Sequence, residues 1–188
     1  MYILEHRVWF SHIADWRSRD MASQNELRIE TNEQGKTVYR LTTHRRTLTE
    51  TDIVSFVNLV GLHEPPFIDM EWVKSTMPGL HARRFAPAPL LISLGMGLLA
   101  TSIMKIISAM TEKENLGQFH GMVWLEAAVK NPAFPEDTLH VEVEACVDRK
   151  TSRGQTLVDL KHAVMNQRNE IVTVFTEKLL FEPISPSP

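Results

Sequence analysis

The sequence predicts one α+β domain in which an antiparallel sheet wraps a long apolar helix. Three observations carry this. Phe85 to Met104 contains no charged residue. Leu139, Val141, Val143, Ala145 and Val147 alternate with His140, Glu142, Glu144, Cys146 and Asp148. That period of two puts one face of a strand in the core and the other in water. Thr156 to Asn166 and Ile171 to Phe181 are two further strand-like runs joined by the short turn Asn166-Gln-Arg-Asn-Glu170. Consecutive strands with short turns make an antiparallel sheet.

The chain of 188 residues suits a single domain, and 43% hydrophobic residues supply a sizeable core. A formal net charge of −3, with no long basic block, gives no general attraction to nucleic acid or an anionic membrane. Cys146 is the one cysteine, so no intramolecular disulfide and no cysteine-based metal site can form. A reducing cytoplasm fits this, and Met1 to Arg7 lacks the apolar core of a signal peptide. Residues 85–104 are about long enough to cross a bilayer. However, they include Pro87, Pro89, Ser93, Gly95, Gly97, Thr101 and Ser102. The better reading is the buried centre of a soluble fold.

Along the chain, residues 1–35 read as an N-terminal extension, in which Val8, Trp9, Phe10, Ile13 and Trp16 suggest an amphipathic turn or short helix. The domain proper reads as 36–182. Thr37 to Thr43 is β-branched and aromatic, hence a strand. Thr49 and Asp52 form a capping box ahead of Ile53, Phe56, Val57 and Val60, which fall on one helical stripe. Gly61 ends that helix. Leu62 to Phe67 is a proline-containing loop, and Asp69 to Ser75 a short helix. The apolar helix runs from about Pro89 to Met110, where Gly95, Gly97 and Ala100 would let strands pass close. Gly121 to Val129 opens the C-terminal sheet. Residues 183–188, rich in proline and serine, read as a disordered tail.

Four local patterns in order resemble one family. Thr47-Leu-Thr-Glu-Thr-Asp-Ile53 resembles the RT(V/L)TExDI entry of MaoC-like hydratases and dehydratases. Arg84-Phe-Ala-Pro-Ala-Pro-Leu-Leu91 is similar to the start of their central helix. Asn131-Pro-Ala-Phe-Pro-Glu-Asp-Thr-Leu139 is similar to their xPVFPGDTL turn, and Asn166 to Glu170 to their NQxGE hairpin. The resemblance implies a hotdog fold and a thioester tunnel beside the central helix. It also implies a homodimer, or pairing with another hotdog subunit, through joined sheets. The substrate would be an acyl-CoA, hydrated or dehydrated without metal or redox cofactor.

The family's active loop carries the pattern G-D-x-N-P-x-H, whose aspartate and histidine handle the water. The matching stretch here is Gly61-Leu-His-Glu-Pro-Pro-Phe67. Leu62 stands at the aspartate position and Phe67 at the histidine position, and neither can transfer a proton. The adjacent His63 and Glu64 are the candidate replacement acid–base pair, with ordinary polar loop residues as the alternative. Asp69 reads as a helix cap. Ala88 replaces a glycine whose backbone N–H serves the family as oxyanion donor. Its flanking prolines have no N–H to give, so the Ala88 amide is the natural candidate for that role, with a plain proline-opened helix start as the alternative. His81, Arg83 and Arg84 precede the central helix, where positive charge could meet coenzyme A phosphates. His120 and His162 read as structural. No two histidines have metal-ligand spacing with a carboxylate, so no metal is expected.

Three functions remain open on this reading. One is a hydratase-like lyase with a non-standard loop. Another is a degenerate hotdog subunit that holds an acyl thioester for a catalytic partner. The last is a hotdog thioesterase with Glu64 as base or nucleophile. Fold alone does not choose among them.

Overall fold

The computed structural model describes residues 24–80 and 82–183. The apolar stretch 8–16, His81 and the tail from 184 onward lie outside them. The sheet begins earlier than the boundary at residue 36 drawn from the sequence, because β1 (Leu27–Thr31) already pairs with β2 (Thr37–Thr42). A two-residue β3 (Arg46–Thr47) follows, then α1 (Glu50–Val60), α2 (Pro65–Ile68) and α3 (Met70–Thr76). After a 3-10 turn at Pro78–Leu80 come α4 (Ala88–Ala100) and α5 (Ile103–Glu114). The chain closes with β4 (Phe119–Val129), β5 (Thr138–Lys150), β6 (Thr156–Met165) and β7 (Ile171–Phe181). Every pairing is antiparallel, in the order β1-β2-β5-β6-β7-β4, and β3 joins the start of β5.

The alternation along β5 holds only in part: Glu142 and Glu144 are half-exposed, but His140 and Cys146, expected on the wet face, are buried. Leu139, Val141, Val143 and Ala145 are buried in the core with Leu90, Leu91, Leu98 and Leu99 of α4. Val158, Leu160 and Val164 of β6 and Phe175 and Leu179 of β7 complete that layer.

The central apolar segment departs from expectation, because it is two helices rather than one. Thr101 and Ser102 interrupt it, and α5 leaves α4 at a bend of 65°. A distant polar group marks the break. Ser102 Oγ donates to Asn25 Oδ1 at 2.8 Å, and Lys105 Nζ donates to the Asn25 carbonyl at 2.9 Å. Asn25 is itself tied to Thr42 O through its own N–H. Nor is the segment buried throughout: Ser93, Gly97, Ala100 and Thr101 are exposed, and Met104 is 63% exposed. Among the described residues no single helix is long and apolar enough to cross a membrane.

The two central glycines differ in purpose. A Cβ on Gly95 would lie 2.8 Å from Phe175 Cε1 and 3.0 Å from Val164 Cγ2, whereas one on Gly97 would meet nothing within 4 Å. Gly95→Ala is therefore expected to cost about 1–3 kcal/mol by overpacking. Gly97→Ala should gain up to about 1 kcal/mol from helix propensity. Urea unfolding of both variants checks this, and effects of the same sign would refute the packing.

Two histidines are sealed in. His140 on β5 is 4% exposed, and burial, aided by the nearby Arg45 charge, pushes its pKa down to about 4. Glu142 Oε1 is 3.9 Å from its Nε2. His162 on β6 is stacked on Phe175 with ring centroids 4.1 Å apart. Its Nε2 lies 3.0 Å from Glu177 Oε1. Burial outweighs that carboxylate and lowers this pKa too. A histidine depressed in the folded state binds its proton more readily when unfolded. Its contribution is full above about pH 6.5 and is lost as pH falls toward the folded value. The urea midpoint should drop between pH 7 and pH 5, and His140→Leu should make the decline shallower. A flat profile in wild type would contradict this assignment.

The sheet ends on an apolar edge. β4 is bonded to β7 on one side, and among the described residues nothing pairs with its other side. Met122, Val123, Trp124 and Leu125 follow one another in the sequence, so they cover both faces, and all are exposed; Trp124 is 55% accessible.

Candidate functional site

The loop between α1 and α3 is built from its two ends inward. Thr49 and Asp52 form the capping box read from the sequence, with Asp52 N–H donating to Thr49 Oγ1 at 3.1 Å and Thr49 N–H to Asp52 Oδ2 at 2.8 Å. Gly61 closes α1 at φ 70°, a conformation that glycine adopts without Cβ strain. The Leu62 N–H then returns to Val57 O at 3.0 Å, and the His63 N–H to Gly61 O at 2.9 Å. At the far end Phe67 N–H donates to Glu64 O at 2.9 Å. Asp69 accepts the Trp72 N–H at 2.9 Å, so it caps α3 as expected.

Between these anchors the side chains of His63 and Glu64 are exposed, while Leu62 and Phe67 are half-buried. Pro65 and Pro66 open α2 and restrict the chain immediately after Glu64. His63 and Glu64 form no hydrogen bond or ion pair with each other. They stand next to one another on the loop rather than as a coupled dyad.

The opposite wall is the stretch before α4. The Phe67 and Phe85 rings meet edge to face, with centroids 5.4 Å apart. Arg84 donates to Glu50 on α1 and to the Phe67 carbonyl. The Ala86 N–H is held by Ala133 O at 2.8 Å. Pro87 is the N-cap of α4, and its carbonyl receives the N–H groups of Leu90 at 3.0 Å and Leu91 at 3.3 Å. Pro89 has no N–H. The amide of Ala88, first residue of the helix, is left without a hydrogen-bond partner among the described residues. A free N–H at a helix N-terminus carries the positive end of the helix dipole, which suits a developing oxyanion.

Arg83 lies beside this wall. Its Nη2 donates to Pro135 O at 2.9 Å, and its guanidinium carbon sits 5.1 Å from the Phe134 ring centre. The side chain remains about half exposed, at 48%. Underneath, Asp137 is 5% exposed and ties the turn together. Its Oδ2 accepts the Phe134 N–H and its Oδ1 the Gln167 side-chain amide, both at 2.9 Å. Sequence reasoning noticed this turn but gave its members no role. Phe134, Pro135 and Asp137 form the platform that carries Arg83, and neighbouring Ala133 holds Ala86. Glu136 holds φ 77° where the similar family turn has glycine.

The fold is the hotdog fold. No protein-family model matches the sequence, and no curated protein is similar to it. Among solved structures it is similar to a monoamine oxidase regulatory protein from Archaeoglobus, at 25% identity and TM-score 0.58, covering 78% of this chain and 90% of that one. It is similar to a MaoC-like dehydratase from Rhodospirillum rubrum at 23% identity and TM-score 0.58, covering 78% and 92%. It is also similar to HadBC, a (3R)-hydroxyacyl-ACP dehydratase complex from Mycobacterium tuberculosis. That match has 12% identity and TM-score 0.53, covering 85% and 99%.

Proposed function

We propose that this chain is a hydratase/dehydratase-type protein acting on an acyl-CoA thioester through a non-standard loop. One observation carries the reading: the unpartnered Ala88 N–H opens the central helix, and the Phe67–Phe85 contact brings the 62–69 loop against that wall. The thioester carbonyl would accept from Ala88, and His63 and Glu64 would handle water and proton in place of the usual pair. Both side chains are exposed and therefore free to turn toward a ligand. The outer edge of β4 would be covered by a second hotdog chain, since an apolar, unpaired edge strand is a liability in isolation.

A second reading is favoured by Leu62 and Phe67. Two apolar side chains where protons should move suit a subunit that binds the thioester while a partner chain supplies the chemistry. Crotonyl-CoA hydration and binding, measured on wild type, His63→Ala and Glu64→Ala, separate the readings. Turnover abolished by either substitution supports the relocated pair. Binding without turnover supports the subunit role. Rapid hydration by all three proteins would sink both, and failure to bind any acyl-CoA would sink the thioester assignment itself.

A further inference from the structure

The sequence offers Arg84 as a cation for coenzyme A phosphates, but the structure gives its guanidinium other partners. Arg84 donates to the Glu50 carboxylate on α1 and to the Phe67 carbonyl at the far end of the loop, and it is only 17% exposed. Its charge is already answered by Glu50, and its Nε and Nη1 donors are both taken. Arg84 reaches the carboxylate with Nε and the carbonyl with Nη1, a rigid two-nitrogen geometry that a single lysine ammonium does not reproduce.

The near end of the loop is fixed by Gly61 and the Leu62 and His63 amides. The Arg84–Phe67 bond, backed by the Phe67–Phe85 ring contact, fixes the far end. His63 and Glu64 therefore hang between two pinned points. Arg84 lies four residues before Ala88, on the same strap. We infer that Arg84 is a positioning residue: it sets the distance between the His63–Glu64 segment and the Ala88 amide, and it contributes nothing to phosphate binding. This rests on the thioester reading above. Arg83 stands 4.0 Å from the Glu136 carboxylate and, at 48% exposed, is less enclosed than Arg84.

The test compares two ligands with the same acyl group, crotonyl-CoA and crotonyl-pantetheine, the second lacking the nucleotide phosphates. Both are titrated against wild type, Arg84→Lys and Glu50→Gln, with thermal unfolding confirming that each variant is folded. Hydrogen exchange of the 62–69 amides is followed in parallel without ligand. A positioning role predicts that Arg84→Lys weakens both ligands by the same factor. It also predicts that loop exchange accelerates roughly 10- to 100-fold, as loss of one charge-assisted hydrogen bond would allow. Glu50→Gln, which leaves the arginine charge in place, should weaken both ligands as well. The inference is overturned if Arg84→Lys harms crotonyl-CoA alone and leaves loop exchange unchanged, or if Glu50→Gln tightens crotonyl-CoA by freeing the charge. If wild type binds neither ligand, the thioester reading fails. Loop exchange then still decides whether Arg84 holds the loop.

Discussion

Replacing Leu62→Asp together with Phe67→His raises the rate of crotonyl-CoA hydration by about 10²–10⁴-fold for each group restored. Leu62 follows the Gly61 cap directly, and its N–H is bonded to Val57 O, so the direction of a new carboxylate is set by backbone already in place. Phe67 presents a ring to Phe85 at 5.4 Å, and histidine keeps a ring there while adding a titratable nitrogen. Both positions are half-buried, so the new groups would be partly screened from bulk water. Loss of enoyl absorbance measures the rate. A folded double variant no faster than wild type would show that this loop does not correspond to the family's active loop.

Replacing Ala88→Pro lowers that rate by about 10²–10³-fold, the usual cost of one oxyanion donor, in wild type and in the double variant alike. Proline is favoured at the first position of a helix, where its missing N–H belongs to the unpaired set. Pro87, at φ −65° and ψ 147°, already has the extended backbone that a following proline demands. The substitution thus deletes one N–H and little else, and the thermal midpoint should stay near the wild-type value. Ala88→Gly retains the donor and should retain the rate. An unchanged rate in Ala88→Pro would remove Ala88 from the site.

Much of the fold was legible because its signals are local. The Thr49–Asp52 box, the Gly61 cap, the Asp69 cap and the alternation along β5 each depend on residues a few positions apart. The break in the central helix was not legible. The apolar run continues through Thr101 and Ser102, and the Asn25 side chain that Ser102 bonds lies far away in the sequence. β1 was missed for a related reason: Leu27–Thr31 is mostly exposed and lacks a clean alternation, so its pairing with β2 is what marks it as a strand. At the site, the loop and the Ala88 amide were read from motif positions. The internal bonds of Arg84 were not, because an arginine before a helix looks the same in sequence whether it faces a phosphate or a carbonyl.

The bare edge of β4 also limits how this sequence can drift. In a two-fold pairing residue i of one β4 faces residue j of the other and j faces i, so every β4 substitution enters the seam twice. Introducing a charge at Val123 or Trp124 would then place two like charges across one seam, and a single genetic change would be felt twice. In a pairing with a different chain the same change would be felt once, and an opposite charge on the other gene product could absorb it. Tolerance of Val123→Lys, with or without a compensating acidic residue elsewhere, would therefore report which kind of assembly this strand has been shaped by.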